Sequence, residues 1–303
     1  MTYGGSDRPT KNERREAARE KARQLRDQQR KRERRNKFLI QGGVIVAVVA
    51  IAALIGTLIW QNIQPEGPGP RNMASDGILY DVGMTPVETV ALQPDEEPTA
   101  TVPDESGTVA NIVTYVDYLC PFCGQFETTN GDQIRTMVES GAATIEIHPV
   151  AILTNRSAGS QYSLRAANAA GCVADASPEQ FYDYNALLFA NQPEEGTTGL
   201  SNDELKALAA DAGVTSLSSI EQCIDDTEFK SWVQDATNRF LSEPIPNSDI
   251  ETQQRGTPTV VVNGKQYTGS LTDPAEFASF VLQATADTYT EATATPTPEP
   301  DDE

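Results

Sequence analysis

One uninterrupted apolar run, residues 38–60, divides this chain of 303 residues into two parts of opposite charge. The run reads FLIQGGVIVAVVAIAALIGTLIW, and Gln41 is its only strongly polar side chain. At about 1.5 Å per residue, a helix of this length covers roughly 34 Å, slightly more than the ~30 Å hydrocarbon core of a bilayer. Because a helix in a globular core is usually shorter and amphipathic, the run predicts a transmembrane helix.

The charges on either side of this run predict its orientation. Residues 1–37 carry 14 Lys and Arg against 6 Asp and Glu, whereas residues 61–303 carry 9 against 38. The positive-inside rule places the basic arm, residues 1–37, in the cytoplasm and everything after residue 60 outside it. A cleaved signal peptide would have a shorter apolar region that ends in small residues, whereas this run ends in Trp60. We therefore expect a single-pass protein of the cell membrane with an uncleaved anchor.

The basic arm has two interpretations. Basic runs are the usual electrostatic footprint of nucleic-acid binding. Here, however, the cations alternate with Glu at helical spacings and adjoin the predicted membrane helix, where anionic headgroups are the nearest negative surface. Membrane lipids are therefore the expected partner of the arm, and nucleic acid is not.

Two segments of the exported part are predicted to lie outside a folded core. Residues 61–107 contain seven prolines and an acidic run, which indicates a tether, with one candidate short strand at residues 77–82. Residues 286–303 read ADTYTEATATPTPEPDDE. That composition buries too little apolar surface to offset the entropy of ordering, so it predicts a disordered acidic tail.

The remaining residues predict an α/β domain. Residues 109–117 (VANIVTYVD) have the pattern of a buried strand, a helix follows to about residue 140, and a second strand runs from residue 143 to about 153. Strand, helix and strand in this order imply a parallel pair. A block of five helices is predicted at residues 161–174, 179–190, 201–212, 218–224 and 228–241. A strand at 259–262, an Asn263-Gly264 hairpin, a return strand and a last helix at 273–284 complete the pattern.

The chain has four cysteines, all in the predicted exported part, where disulfides persist. Cys120 and Cys123 form a C-x-x-C pair, a spacing that suits a redox centre, half of a metal site or an inert bridge. The only histidine is His148, within a predicted strand, so four zinc ligands are not at hand and no metal is expected. An inert bridge gains more from closing a longer loop, which favours the redox interpretation.

Elementary thiol chemistry favours the same interpretation. Disulfide exchange requires a thiolate, and an ordinary cysteine supplies little of it at neutral pH. Cys120 stands at the predicted start of a helix, where unpaired N–H groups and the helix dipole stabilise negative charge. Pro121 suits the first helical turn, since it lacks an N–H and has a helical φ. Cys120 is thus predicted to be the exposed, exchanging sulfur and Cys123, one turn further on, the resolving one.

The strand IVTYVD, the stretch YLCPFCGQF, a helical insertion and the distant GTPTVVVNG together resemble the DsbA-like branch of the thioredoxin superfamily. The resemblance is closest to membrane-anchored bacterial thiol:disulfide oxidoreductases that act outside the cytoplasm. It implies an α/β thioredoxin fold built from residues 108–157 and 242–285, with residues 158–241 as an inserted helical subdomain. It also implies a redox-active disulfide with no bound cofactor.

The resemblance assigns further roles. Pro258 corresponds to a cis-proline that faces the cysteine pair, and the backbone of Thr257 would pair with an extended client; a plain trans-proline at a strand start is the alternative. Asp117 corresponds to a buried acid that exchanges protons with the resolving thiol, although a carboxylate that caps the next helix is equally natural. Cys172 and Cys223 correspond to a second, structural disulfide, with a second redox pair as the alternative.

The expected activity is that of a dithiol oxidase that introduces disulfides into unfolded or reduced exported proteins. The alternatives are a disulfide isomerase, a reductase such as those of cytochrome c maturation, and a client-binding module whose bridge is inert. Phe122 stands where the best-known oxidases of the family have His, and Thr257 also occurs in isomerases, so neither residue decides. An oxidase needs a reoxidant, and the family implies a quinone-linked membrane partner of the DsbB or vitamin K epoxide reductase kind.

Overall fold

The computed structural model describes residues 67–251 and 255–294, together with isolated positions between residues 19 and 52. Residues 66–303 group as one compact unit and residues 1–65 as another, and the fold described below is that of the former. Most of the predicted basic arm (1–37) and membrane segment (38–60) therefore lies outside the described residues. Among the helices that are described, none is both long and apolar enough to cross a membrane.

A six-stranded sheet organises the unit. Its strands are β1 (Ile78–Asp81), β2 (Thr85–Pro86), β3 (Ala110–Val116), β4 (Ala143–Pro149), β5 (Thr259–Val262) and β6 (Lys265–Gln266). They lie in the order β2-β1-β4-β3-β5-β6. Strands β3 and β4 are parallel, and every other neighbouring pair is antiparallel. The predicted parallel pair is thus confirmed at the centre of the sheet, where both strands are flanked and mainly buried.

Seven α-helices lie within the described residues 67–251 and 255–294. They are α1 (Pro121–Glu139), α2 (Tyr162–Ala176), α3 (Phe181–Ala190), α4 (Asn202–Asp211), α5 (Leu217–Asp226), α6 (Lys230–Ser242) and α7 (Pro274–Thr293). Helices α2 to α6 all lie between β4 and β5 in the chain, which confirms the predicted helical block. The capping box that the sequence indicates at Ser201 and Glu204 is present, with both reciprocal hydrogen bonds.

The two faces of the sheet pack against different partners. On one face, Ile112 and Val116 of β3 belong to a large core shared with Phe126 of α1 and Phe277 of α7, whose rings meet edge to face at 5.2 Å. Tyr115 points to the other face and belongs to a smaller core with Phe240 and neighbouring residues. Because β-strand side chains alternate, β3 serves both cores, and α1 approaches the sheet from one side only.

The helical insertion surrounds α2, nearly all of whose residues are buried. Cys172 on α2 and Cys223 on α5 form a disulfide, with an S–S distance of 1.97 Å and a Cα–Cα distance of 5.9 Å. It joins positions 51 residues apart in the sequence, so it closes a loop that includes α3 and α4. This covalent bond lies within the insertion and leaves the cysteines of the C-x-x-C pair free.

The prediction that residues 61–107 form a tether is wrong for the described residues 67–107, which we call the N-terminal strap. Met73 of the strap is fully buried, and Asp76 accepts hydrogen bonds from Arg239 (2.7 and 2.8 Å) and from the Trp232 indole (3.1 Å). The strap also contains β1, which pairs with β4 and agrees with the candidate strand at 77–82. Its prolines break regular structure without preventing packing, since proline tolerates extended segments.

The prediction that residues 286–303 are disordered is wrong for residues 286–293, which continue α7. Asn263 donates to Thr288 (3.0 Å), and Lys265 forms an ion pair with Asp287 (2.6 Å). At Gly107, where φ is +69°, an added Cβ would lie 2.1 Å from the backbone nitrogen of Tyr289. These contacts with the hairpin and the strap hold the last turns of α7, and no local pattern reveals them. Residues 295–303 lie outside the described residues.

Candidate functional site

The turn from β3 into α1 presents Cys120. Cys120 is the N-cap residue of α1, with extended backbone angles (φ −75°, ψ 116°), and Pro121 occupies the first helical position. The backbone N–H of Cys120 donates to the Asp117 carbonyl (2.9 Å), and the first helical bond runs from the Gly124 N–H to the Cys120 carbonyl (3.2 Å). No side chain caps the helix, so its first N–H groups face the sulfur.

The segment before β5 lies against this sulfur. The Cys120 thiol donates to the backbone carbonyl of Thr257 across 3.1 Å, and the Thr257–Pro258 peptide bond is cis. Cys120 is 5% exposed and Cys123 is fully buried, and both are free thiols. Residues 120, 123, 257 and 258, which are far apart in sequence, therefore meet in one place. Cys120 is thus nearly buried in the dithiol state, whereas the sequence predicts an exposed sulfur.

The two thiols differ in acidity. The pKa of Cys120 is lowered to about 6 because Cys123, the Thr257 hydroxyl and the N–H groups of Phe122 and Cys123 stabilise its thiolate, which outweighs burial. The pKa of Cys123 is raised well above its ordinary value, chiefly by burial and then by its neighbour Cys120. The Thr257 hydroxyl is buried without a hydrogen-bond partner among the described residues, so ionisation of Cys120 gives it an acceptor. At neutral pH the pair holds one thiolate and one thiol.

The turn between β3 and α1, residues 117–124, is called the redox turn. Gln192, which follows α3, holds this turn from the side of the helical insertion. Its side-chain amide donates to the carbonyls of Tyr118 (3.1 Å) and Cys120 (2.9 Å). Its amide oxygen lies so close to Gly124 that a Cβ there would approach it to 2.4 Å. Gln192 lies 72 residues after Cys120, in a polar loop that follows α3, and no sequence signal distinguishes it.

Asp117 is fully buried and accepts three hydrogen bonds. The donors are the N–H groups of Leu119 (2.9 Å) and Leu153 (2.8 Å) and the hydroxyl of Ser163 (2.7 Å). Burial raises the pKa of Asp117, although these donors act in the opposite direction. The carboxylate thus ties the redox turn to the segment after β4 and to α2. No hydrogen bond joins its side chain to Cys120 or Cys123, so its predicted part in proton exchange stays a prediction.

A second acid lies on the other side of the pair and was missed by the sequence analysis. Glu127 stands one helical turn after Cys123, and burial raises its pKa to about 7. Asn185 of α3 donates to Glu127 (2.9 Å) and accepts from the hydroxyl of Tyr118 (3.0 Å). The i+4 spacing in Cys123–Glu127 was the available signal, since it places both residues on one face of the helix.

The aromatic residues around the cysteines divide into two kinds. Phe122 is 56% exposed, beside Cys120, whereas Tyr118 and Phe126 are almost completely buried. Of these three rings, only Phe122 is exposed enough to contact another molecule. Tyr118 and Phe126 belong to the core.

His148 lies away from this site. It is 5% exposed on β4, stacked on Tyr115 at 4.4 Å, with its Nε2 3.4 Å from Glu146 Oε1. Within the part of the chain that the structure describes, no cluster of three or more metal-binding side chains is present. The expectation of no metal stays a prediction.

Comparison with known proteins connects this geometry with a family. The family model described as thioredoxin matches residues 105–281. A reduced disulfide bond oxidoreductase, DsbG, from Mycobacterium tuberculosis is 31% identical, over 67% of this chain and 89% of that one (TM-score 0.49). A reduced DsbA from the same organism is 29% identical, over 72% of this chain and 100% of that one (TM-score 0.50).

A third solved structure extends the likeness of fold. Oxidised BdbD from Bacillus subtilis is 17% identical, over 74% of this chain and 100% of that one, with a TM-score of 0.51. A search of curated proteins gave no match.

Proposed function

We propose, from the premise that this chain belongs to the thioredoxin family and is a DsbA-like protein-disulfide oxidoreductase, that it works as a dithiol oxidase on exported proteins. One observation carries the proposal, namely the difference between the two thiols of the C-x-x-C pair. Cys120 is held as a thiolate and Cys123 as a buried thiol. An environment that stabilises the thiolate favours the reduced form of the pair, and that makes the disulfide form a stronger oxidant.

The cycle follows from this difference. A client thiolate attacks Cys120 Sγ of the oxidised pair, the Cys120–Cys123 bond breaks, and Cys123 leaves and takes up a proton. The second client thiolate then attacks the client sulfur of the mixed disulfide and releases Cys120. Because the pKa of Cys120 is about 6, it departs as a stable thiolate. The client has lost two electrons, and the pair has gained them.

Thr257 supplies a docking position for the client. When Cys120 is protonated, its S–H donates to the Thr257 carbonyl. A disulfide sulfur has no S–H to donate, so in the oxidised pair the carbonyl is available to a client backbone N–H. An extended client would therefore add to the strand end at Thr257–Pro258 in the manner of β-augmentation, with Phe122 as an apolar contact beside it.

The remaining parts of the proposal rest on the sequence. The apolar run at 38–60 and the charge difference around it support a single-pass anchor with the catalytic domain outside the cytoplasm. A quinone-linked membrane protein of the DsbB or vitamin K epoxide reductase type would reoxidise the pair, and no bound cofactor is needed by the domain itself. Anionic lipids would attract the basic arm.

The test is the reduction potential of the pair, measured by equilibration with glutathione buffers and alkylation of free thiols. An oxidase predicts a value nearer to the about −120 mV of DsbA than to the about −270 mV of thioredoxin. The second assay is the oxidation of a reduced, unfolded client by the stoichiometric disulfide form. A potential near that of thioredoxin, with the pair reduced in acid-trapped cells, would instead identify a reductase. Faster reshuffling of a scrambled client than oxidation of a reduced one would identify an isomerase.

A further inference from the structure

A cavity of about 230 Å³ lies on the sheet face that carries Tyr115, opposite to the face on which α1 packs. Its floor is a single row of paired residues across four strands. Leu79 of β1 pairs with Glu146 of β4, Glu146 pairs with Val113 of β3, and Val113 pairs with Val261 of β5. The N-terminal strap and residues 245–247 form the other walls. The cavity is thus a trough with an apolar floor that is interrupted by one carboxylate.

Glu146 is bound from one side only. It is 5% exposed, its Oε1 atom accepts hydrogen bonds from Thr101 (2.9 Å) and Ser75, and His148 Nε2 lies 3.4 Å from the same oxygen. No donor among the described residues reaches Oε2. Burial opposes ionisation, but His148, Ser75 and Thr101 outweigh it and lower the pKa of Glu146. Oε2 therefore has no protein donor among the described residues and is accessible to a molecule in the cavity, where it can accept a hydrogen bond.

His148 gives a second, independent indication. It lines the cavity, is 95% buried, and its Nδ1 atom has no hydrogen-bond partner among the described residues. The ring is held in place by Tyr115 on one side and by Gly77, where an added Cβ would approach it to 2.6 Å. The His148 ring is therefore fixed in the cavity wall, and the walls of the cavity are rigid, as in a preformed binding site.

The charge of the walls selects the ligand. Besides Glu146, the exposed acidic residues Asp104, Glu105 and Glu291 lie at the cavity, and no Lys or Arg among the described residues lines it. A cation with several N–H donors satisfies Oε2 of Glu146, and a short alkyl chain covers the apolar floor. An anion or a second carboxylate would be repelled.

We propose that this cavity is a binding site for a small organic cation, a primary alkylammonium whose nitrogen donates to Glu146 and whose chain lies on Leu79, Val113 and Val261. The strap residues Ser75 and Thr101, which hold Glu146, form part of the site. It is separate from the cysteine pair and independent of the direction of disulfide exchange.

The test titrates the purified full chain with n-pentylammonium chloride, by calorimetry and by the shift in thermal unfolding, at constant pH and ionic strength. Two further probes accompany it. 1-Pentanol has the same alkyl chain without the charge, and CaCl2 supplies a cation without an alkyl chain. Saturable binding of pentylammonium that is at least about tenfold tighter than that of 1-pentanol supports the site. The difference is expected because only the ammonium group forms a hydrogen bond to Glu146 between two charged groups. Equal binding of the two, no saturable binding, or an equal stabilisation by Ca²⁺ overturns it.

Two variants connect the binding to the cavity. Glu146→Gln keeps the shape and removes the charge, and it is expected to weaken pentylammonium binding at least about tenfold while binding of 1-pentanol is retained. Glu139→Gln, at an exposed carboxylate near the end of α1, is the matched control and is expected to change nothing. An unchanged affinity in Glu146→Gln contradicts the proposal.

Should Glu146→Gln fail to fold, Thr144→Leu provides the second variant. Thr144 is a partly buried residue of the cavity wall, and the larger apolar side chain fills space without removing a charge. Binding of pentylammonium is expected to disappear while the far-ultraviolet circular dichroism spectrum is preserved. Undiminished binding in this variant places the ligand elsewhere and overturns the assignment.

Discussion

The two cysteine pairs of this domain contain the same atoms in opposite settings. Cys172 and Cys223 connect two packed helices across 51 positions and are joined in a disulfide. Cys120 and Cys123 are separated by two residues at the start of α1, are both free, and face a backbone carbonyl and an unpartnered hydroxyl. One pair constrains the chain, and the other is surrounded by groups that stabilise a thiolate.

The two pairs show that the reactivity of a cysteine depends on its surroundings. Long loop closure gives the first pair a large effect on the unfolded chain and no need for a particular pKa. The second pair closes almost no loop, so it adds little stability to the chain. Its function depends on the free-energy difference between its dithiol and disulfide forms.

The largest expected effect is the loss of disulfide exchange in Cys120→Ser. Removing the sulfur that accepts the client removes the reaction itself, so no turnover of a reduced client should remain. With a client that contains a disulfide, Cys123→Ser should instead accumulate a mixed disulfide, because the Cys120 thiolate attacks the client disulfide, one client sulfur leaves as a thiolate, and no Cys123 remains to release the other. The product is visible by non-reducing electrophoresis and mass spectrometry. The double variant Cys172→Ser/Cys223→Ser serves as the control and should retain the exchange rate of the oxidised protein; a loss of that rate would make the second pair catalytic.

The next effect concerns stability. In Cys172→Ser/Cys223→Ser the free energy of unfolding should fall by about 4 kcal/mol, the chain-entropy value for a loop of this length. Denaturant unfolding of the double variant and of the wild-type chain, both with Cys120 and Cys123 reduced, measures it. Reduction of Cys120 and Cys123 alone should have the opposite sign and raise the free energy of unfolding, because the folded protein stabilises the Cys120 thiolate of the reduced pair. Equal stability of the double variant and the wild type would remove the structural role of the second pair.

The third effect concerns the pH dependence of unfolding, through the acid Glu127 on the helix that begins at the C-x-x-C pair. Because the folded-state pKa of Glu127 is about 7, against 4.5 ordinarily, the folded protein binds this proton more tightly than the unfolded chain does. Its stabilising effect is complete below pH 4.5 and is lost as the pH rises through about 7, by about 3 kcal/mol in total. Glu127→Gln should remove this part of the pH dependence of unfolding, whereas Glu139→Gln should keep it. An identical pH profile in Glu127→Gln contradicts the assignment.

The smallest predicted effect isolates one hydrogen bond. Thr257→Val preserves the shape of the side chain and removes the hydroxyl that donates to the Cys120 thiolate. The pKa of Cys120 should rise by about one unit, the equivalent of a hydrogen bond to a charged group. The pH dependence of the alkylation rate of Cys120, or of thiolate absorbance, measures it. A pKa that stays at about 6 would leave the helix N–H groups and Cys123 as the whole cause of the shift.

Local patterns predicted most of the fold. The Asn263-Gly264 turn, the branched residues of β3 and the capping box at Ser201 report their structure directly, because each depends on neighbouring residues. The burial of Met73 and the last turns of α7 depend on contacts with distant parts of the chain. Composition alone predicted that residues 61–107 form a tether and that residues 286–303 are disordered.

The candidate site divides in the same way. Cys120 and Cys123 are adjacent in sequence and were found by their spacing, and Thr257 and Pro258 were assigned by resemblance. Glu127 was missed although its spacing from Cys123 was readable, because a glutamate on a helix is usually a solvated residue. Gln192 and Asn185 could not be found, since only the packing of α3 against α1 brings them to the redox turn.

The contact between Gln192 and Gly124 has an evolutionary consequence. A Cβ at position 124 would approach the amide oxygen of Gln192 to 2.4 Å, so alanine at 124 is compatible only with a shorter or displaced side chain at 192. The two positions should therefore change together among descendants of this chain, although they lie in different subdomains. Loss of the long amide at 192 would also remove the hydrogen bonds to two carbonyls of the redox turn. The residues found at positions 124 and 192 in descendants should therefore indicate whether the insertion still holds the cysteines through these bonds.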